Sequence, residues 1–517
     1  MTKRLDQIKA WAEAHKDFLK ICFVSVLFWG IVAHGFMFMH WDLSHDSLKQ
    51  FYFGDNSWRY ALGRIFVPFY SWLMRRNITI PWLVGMYAMA WLFLTVIVVC
   101  SIFSVRSKWK IFLISGFLVS NECVTALTGS YLSDLDCDMV ALLLAVSAVY
   151  CWKRNNAKKS WILGSFLLSV SLGFYQSYLS VAVTLVLIIL VLGLFKKTDV
   201  RKIVRDGLRA LGMFACGGLL YIVWLKCANL ITGVSLAQNS YNSITSPLNN
   251  SISDILRNIF VGWAHSIYTY LRTPSLYGKW ISIILNSSVC LLSLLFLVRY
   301  SKKIGLKKPV KVLAGILLFL IPIAMDVSYI LAGFSHDLMR YAHCFFQVFL
   351  IILVGLLESD EMTGLEIRRK SLFISVSNVM LCLSLLGNVM TSNALYVKKD
   401  LEAKSTLSLF TRIADRIESI QDYIPGETPV VFVGHPDALI EPISGLEDIS
   451  RIIGNEYRSA TSTYYKAYFE FVLQRPIKVI YPDEDFKKQK EISEMPCFPD
   501  KNSVQWINGE VVVKLND

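Results

Sequence analysis

Long apolar runs separated by short polar ones dominate the chain. A membrane-crossing helix needs about 20 mostly apolar residues to cover about 30 Å of hydrocarbon. Eleven segments of this kind lie near 18–40, 81–105, 111–130, 138–152, 160–178, 179–195, 207–231, 280–299, 310–332, 341–357 and 371–395. The third and fourth are short and are separated by Ser130 to Cys137, and the fifth and sixth run together through Phe174, Tyr175, Gln176 and Ser177. A polar, Lys-bearing stretch without a small-residue cleavage pattern precedes the first, so that helix reads as retained rather than removed.

The polar intervals add a direction. Lys3, Arg4, Lys9 and Lys16 precede the first segment, and Arg106, Lys108 and Lys110 follow the second. Lys153, Arg154, Lys158 and Lys159 follow the fourth, Lys196, Lys197, Arg201, Lys202 and Arg205 the sixth, and Lys302, Lys303, Lys307, Lys308 and Lys311 the eighth. Arg368, Arg369 and Lys370 precede the eleventh. Every second loop is basic, which by the positive-inside rule predicts a cytoplasmic N-terminus. An odd number of spans then puts the C-terminal part outside the cell membrane.

Three outside segments are too long or too polar for simple turns. The first, 41–80, contains Trp58 to Arg76, where Trp, Tyr, Phe and Leu alternate with Arg59, Arg64, Arg75 and Arg76, the composition of an interfacial helix. The second, 231–279, is rich in Asn and Ser. The third is a domain of residues 397–517, after a membrane domain of residues 1–396. In it Pro429–Gly434, Ile477–Pro482 and Glu510–Leu515 have strand character and Leu401–Ile420 helical character, which predicts a small extracytoplasmic α/β domain.

Composition agrees with a polytopic α-helical membrane protein: 54% of the 517 residues are hydrophobic and 18% charged. The formal charge of +13 would suggest nucleic acid in a soluble protein, but its location excludes that. Beyond Tyr396 there are 15 Lys+Arg against 20 Asp+Glu, so the basic excess lies wholly in the membrane part.

Ionisable groups in or beside spans are costly and therefore informative. Asp42-Leu-Ser-His45-Asp46 follows the first span. In a helix Asp42 and Asp46 would share a face, and two carboxylates beside His45 suit general-base work on a hydroxyl; a solvated cap is the alternative. Asp134, Asp136 and Asp138 precede the fourth span with the spacing of a site for a divalent cation, Mg or Mn, and a phosphate, or of simple helix capping. Asp138, nearest the apolar run, is the hardest to explain by solubility. His336, Asp337, Arg340 and His343 fall between the ninth and tenth spans, where the Arg340 guanidinium suits a lipid phosphate, by a bidentate grip or by ordinary snorkelling. Asp326 lies within the ninth span, where an intrahelical partner can satisfy it. Tyr175 and Gln176 interrupt an apolar run, facing a cavity or a neighbouring helix. Tyr464, Tyr465 and Tyr468 are candidates for polymer contact in the C-terminal domain, or for its core.

The eleven cysteines give no disulfide framework or zinc spacing, and no Walker A, dinucleotide-binding or nucleophile-elbow motif is present.

The order of a first span, an acidic outside loop, an interfacial helix, many spans and an outside domain resembles the GT-C class of polyprenyl-phosphate-sugar-dependent glycosyltransferases. Within it the chain looks most like the bacterial GtrII-type glucosyltransferase family. The resemblance rests on Ser44-His45-Asp46-Ser47-Leu48, Gly63-Arg64, Gly173-Phe174-Tyr175-Gln176, Met495-Pro496-Cys497-Phe498-Pro499 and Ile507-Asn508-Gly509 through Leu515. It implies transfer of a hexose, glucose by family, from undecaprenyl-phosphate-hexose to a hydroxyl of a cell-surface polysaccharide such as O-antigen, teichoic acid or cell-wall glycan. Asp46 or Asp42 would be the base in an in-line displacement. Arg340 would hold the leaving phosphate, with Arg64 and Lys279 as further candidates. A cytoplasmic enzyme that loads the lipid and a flippase would be pathway partners. A lipid-linked saccharide transporter or flippase is the main rival, but it has no need of the outside domain and would be expected to show inverted repeats. A surface-polymer polymerase is the second.

Overall fold

The computed structural model describes residues 6, 10–42, 47, 48, 50, 51, 55–154, 158–237, 251–359, 365–439 and 465–516. The helices are α1 (Lys16–Met39), α2 (Ser57–Ala61), α3 (Val67–Arg75), α4 (Pro81–Phe103), α5 (Lys108–Val119), α6 (Glu122–Ser130), α7 (Leu132–Lys153) and α8 (Lys158–Phe174). They continue with α9 (Leu179–Phe195), α10 (Val200–Thr232), α11 (Ile252–Leu271), α12 (Lys279–Lys303), α13 (Lys308–Met325), α14 (Val327–Ala332), α15 (Phe345–Glu358) and α16 (Leu365–Glu418). Among the described residues nine helices are long and apolar enough to cross a membrane. The α5–α6 pair, bent by 43°, makes ten, and a shorter apolar helix spans Ser160–Phe174. These positions coincide with the eleven apolar segments of the sequence.

The α5–α6 bend has a local cause. Asn121 accepts from Val124 N at 3.1 Å as the N-cap of α6, while its Nδ2 donates to Phe117 O and Leu118 O at the end of α5. One amide side chain thus satisfies backbone groups on both sides of the break. The interval Ser130 to Cys137 differs from the expected loop: α7 already begins at Leu132, so Asp134, Asp136 and Asp138 lie in its first two turns and are all buried.

The stretch 58–76 is also not one helix. Gly63 takes φ 70°, a left-handed conformation that ends the α2 turn, and Pro68 opens α3. Phe69, Trp72 and Leu73 are exposed as expected of an interfacial segment, but Arg59 and Arg75 point inward and are buried. Within 231–279, α11 is an amphipathic helix opened by a capping box between Ser251 and Asp254.

The last helix, α16, runs unbroken through Tyr396 for 54 residues, about 80 Å at 1.5 Å per residue. It leads into a four-stranded sheet of order β2-β1-β4-β3, formed by β1 (Pro429–Val433), β2 (Lys478–Ile480), β3 (Val504–Ile507) and β4 (Glu510–Lys514). β1 runs parallel to β2 and β4, and β3–β4 is a hairpin closed by Asn508 and Gly509, both at positive φ. Arg416 fastens helix to sheet, donating to Pro499 O and Asp500 O and lying over the Phe498 ring. Tyr465 and Tyr468 are buried against Phe410, and Tyr465 also stacks on Phe432, so they are core residues and not polymer contacts; Tyr464 lies outside the described residues.

Candidate active site

Two of the sequence motifs meet. Phe66 N donates to Gly173 O, and a Cβ on Gly173 would come within 2.5 Å of the Phe66 ring, so only glycine permits this approach. Gln176 Nε2 then reaches Leu62 O (3.2 Å) and Tyr221 Oη (2.6 Å), and the Tyr221 hydroxyl donates to Gly63 O. These bonds fix Arg64, whose guanidinium lies 4.5 Å from the centre of the Tyr175 ring.

Arg64 also pairs with Asp134 at 3.0 Å, and Arg59 pairs with the same carboxylate at 2.6 Å. Two residues further along α7, Asp136 receives a bidentate grip from Arg75, at 3.1 Å from Nε and 3.2 Å from Nη2. Gln50 ties the two pairs together, accepting from Arg59 and from the Ser133 hydroxyl. Asp134 and Asp136 are thus occupied by arginines, and among the described residues no group of three or more His, Cys, Asp or Glu side chains is gathered to hold a metal.

Asp138 differs from its neighbours. It is buried and has no cation at ion-pair distance among the described residues. It lies within electrostatic reach of Arg64, Tyr175, Tyr178 and Cys123. From there the polar region continues: Cys123 Sγ donates to Leu338 O, and Tyr178 packs against Tyr341.

Arg340 stands at the far side. Its side chain donates to Ser335 Oγ (3.2 Å), Ser335 O (2.7 Å) and Asp337 Oδ1 (2.8 Å). It lines a cleft with Asn121, Glu122, His343, Gln347 and Asn388. The Asp337 carboxyl is raised above its ordinary value by burial, with Arg340 pulling it partly back. Ser335 also donates to Asp326, which sits at the break between α13 and α14 rather than inside a span and pairs with His265 of α11 at 2.9 Å. The partner of Asp326 is therefore on another helix, not its own.

Asp42 follows the C-terminal end of α1. It is half-buried, and its Oδ2 has no hydrogen-bond partner among the described residues. Burial raises its carboxyl above the ordinary range, with the buried Lys399 drawing it down and Asp400 pushing it up. Lys399, in α16, donates to Gly129 O of α6. His45 and Asp46 lie outside the described residues.

The α6 helix connects these two places. Glu122 at its start faces the Arg340 cleft, and Gly129 and Ser130 at its end hold Lys399 and Ser47. Nine residues make it about 13 Å long, with the Arg340 cleft at its start and the Lys399 side chain, next to Asp42, at its end. Beside Asp42, an open cleft between the membrane domain and the C-terminal domain is lined by Trp41, Phe51, Glu470, Phe471, Gln474 and Arg475. Lys279 and His336 lie elsewhere: both are exposed, Lys279 beside the exposed Trp280 and His336 against Phe334.

Sequence reading missed Glu122 and Lys399. Glu122 followed a bend it had no means to locate. Lys399 falls in the 397–517 part by sequence, although Lys398-Lys399-Asp400 just after the last apolar run is a concentration of charge that marks the end of that run.

A helical bundle of this size with paired arginines, buried carboxylates and a polar cleft at one end has the features of a membrane glycosyltransferase. The glucosyl transferase GtrII family model matches residues 35–357, which is more than half of the chain. The chain belongs to that family, and the protein is a membrane glucosyltransferase. The matched part holds Asp42, the α6 bridge and Arg340, and it ends before α16 and the sheet. No protein of curated function and no solved structure matches the chain.

Proposed function

We propose that the protein transfers glucose from a polyprenyl-phosphate carrier to a hydroxyl of a surface polysaccharide, at the bundle end that carries Asp42 and on the outer face of the membrane. The observation that carries this reading is the α6 bridge, which puts a carboxylate with an unpartnered oxygen at one end and an arginine in a polar cleft at the other. The donor phosphate lies on Arg340, in the polar cleft beside Asn121 and Glu122. Asp42 or Asp46 removes the acceptor proton, the acceptor oxygen attacks the anomeric carbon in line, and the phosphate leaves with its charge held by the guanidinium. The anomeric centre inverts. The cleft of Trp41, Phe51, Glu470, Gln474 and Arg475 offers the mixture of aromatic faces and hydrogen-bonding groups that suits a glycan, and it opens beside Asp42.

The test is transfer by the purified protein in vesicles with a glycan acceptor. Polyprenyl-phosphate glucose should support it and a nucleotide-linked glucose should not; transbilayer movement of the lipid without transfer would favour a flippase instead. Arg340→Ala should raise the donor KM about 10- to 100-fold, the scale of a charge-assisted hydrogen bond, with a smaller change in kcat. An unchanged donor KM would place the phosphate elsewhere.

Asp337 adds a pH dependence. Below its raised pKa it is protonated and no longer neutralises Arg340, so donor KM should fall as pH is lowered through that value. In Asp337→Asn this slope should be absent, and a slope that persists there would assign it to another group.

A further inference from the structure

At the opposite end of the bundle, the ends of α4, α7, α9 and α15 and the starts of α5 and α10 line a cavity of about 420 Å³. Six cations line it: Arg106, Lys110, Lys153, Lys196, Lys202 and Arg209. Among the described residues two of them have a carboxylate at ion-pair distance. Arg209 lies 3.4 Å from Asp206, and Lys110 pairs with Glu358. Among the described residues Arg106, Lys153, Lys196 and Lys202 have no carboxylate at ion-pair distance. Lys153 donates to Ile102 O and Arg106 to Val105 O, which satisfies one N–H of each but not the charge. Arg106 lies over the ring of Phe18 at the start of α1. The cavity is therefore one α1 length, about 36 Å, from Asp42.

We propose that this cavity binds the phosphate headgroup of an anionic membrane lipid. Basic loops alone are expected on this face, but they do not require six helix ends to converge on one cavity. The loop of Lys302, Lys303, Lys307, Lys308 and Lys311 is equally basic and contributes no residue to it. A lipid is favoured over a free anion because an apolar side, formed by Ile189, Leu190, Ile203, Ile351 and Ile352, faces the cations. A headgroup phosphate at the cations would leave its acyl chains along these side chains. Basic pockets between helices on the cytoplasmic side suit this ligand, each cation near the surface adding to the attraction. The site is separate from the catalytic end and does not depend on the donor assigned there.

Native mass spectrometry of the full chain, released from micelles containing equimolar phosphatidylglycerol and phosphatidylcholine, tests the proposal. The wild type should retain phosphatidylglycerol at least about tenfold over phosphatidylcholine, and Lys153→Ala with Lys196→Ala and Lys202→Ala should abolish that preference. Lys302→Ala with Lys303→Ala should keep it. Equal loss in this control would reduce the effect to general surface charge and overturn the proposal, as would full retention in the triple variant. Displacement of the lipid by about 10 mM inorganic phosphate would also overturn it, by making the site one for a free anion. If the triple variant does not fold, Lys202→Glu alone, at an exposed position, should lower the preference, and an unchanged ratio there counts against the site.

Discussion

An Asp42→Asn, Asp46→Asn double variant should transfer glucose at least about 100-fold more slowly than the wild type, with normal expression and membrane insertion. The size follows from the role. A general base that loses its charge can still hydrogen-bond the acceptor hydroxyl but cannot remove its proton as the oxygen attacks. The single variants divide the effect between the two carboxylates. Asp42 carries a signature of its own, because burial raises its pKa. A base must be ionised, so if Asp42 acts, kcat/KM declines as pH falls through a value above the ordinary aspartate pKa of about 3.9. That acid limb should disappear in Asp42→Asn. Near-normal rates in the double variant would remove the segment after the first span from the chemistry.

The second large effect concerns stability. Arg75 and Asp136 both have fully buried side chains and form a bidentate pair, with further Arg75 bonds to Ser71, Ile78, Thr79 and Ser133. Asp136→Ala leaves a buried guanidinium without its counter-charge, at a cost of about 3–5 kcal/mol. Arg75→Met with Asp136→Leu removes both charges and should recover most of that loss, because apolar packing replaces a pair that is expensive to desolvate. Thermal unfolding in detergent, followed by the loss of monodisperse protein on size exclusion, measures both. If Asp136→Ala melts like the wild type, the pair is not what holds α3 to the top of α7.

The architecture was largely legible because apolar length and basic loops report directly on the bilayer. Each apolar run became a helix, and six cations in or beside the basic loops, Arg106, Lys110, Lys153, Lys196, Lys202 and Arg209, meet around one cavity. The three strands of the C-terminal domain were visible as Val-rich runs, whereas β3, with Gln505 and Trp506 among its four residues, carries too weak a pattern to announce itself. The site was legible in parts. Gly63-Arg64 and Gly173 to Gln176 were recognised as separate motifs, but only the fold shows them in contact, through Phe66 and Tyr221.

What stayed hidden is mostly pairing. Spacing puts Asp134, Asp136 and Asp138 into one candidate site for a metal or a phosphate, with Asp138 set apart only by its place beside the apolar run. Three arginines more than 50 residues earlier decide otherwise, taking Asp134 and Asp136 into ion pairs and leaving Asp138 facing Tyr175 and Tyr178. Arg59 and Arg75 looked like interfacial anchors because their lipid-facing neighbours Phe69 and Trp72 are real ones. The break at Gly63 turns successive side chains to different sides, which a one-helix reading of 58–76 does not anticipate. The position of Lys399 depended on the continuity of α16, which hydropathy ends at Tyr396 although the helix does not.

The central claim is that lipid phosphate and acceptor base sit at the two ends of α6. A structure of the protein with a non-transferable polyprenyl-phosphate-glucose analogue tests this most directly. The account predicts the phosphate in contact with Arg340 and the anomeric carbon facing the Asp42 and Asp46 segment, with room for an acceptor oxygen at about 3–3.5 Å. A donor bound with its phosphate away from Arg340, or its sugar turned from both carboxylates, would contradict it.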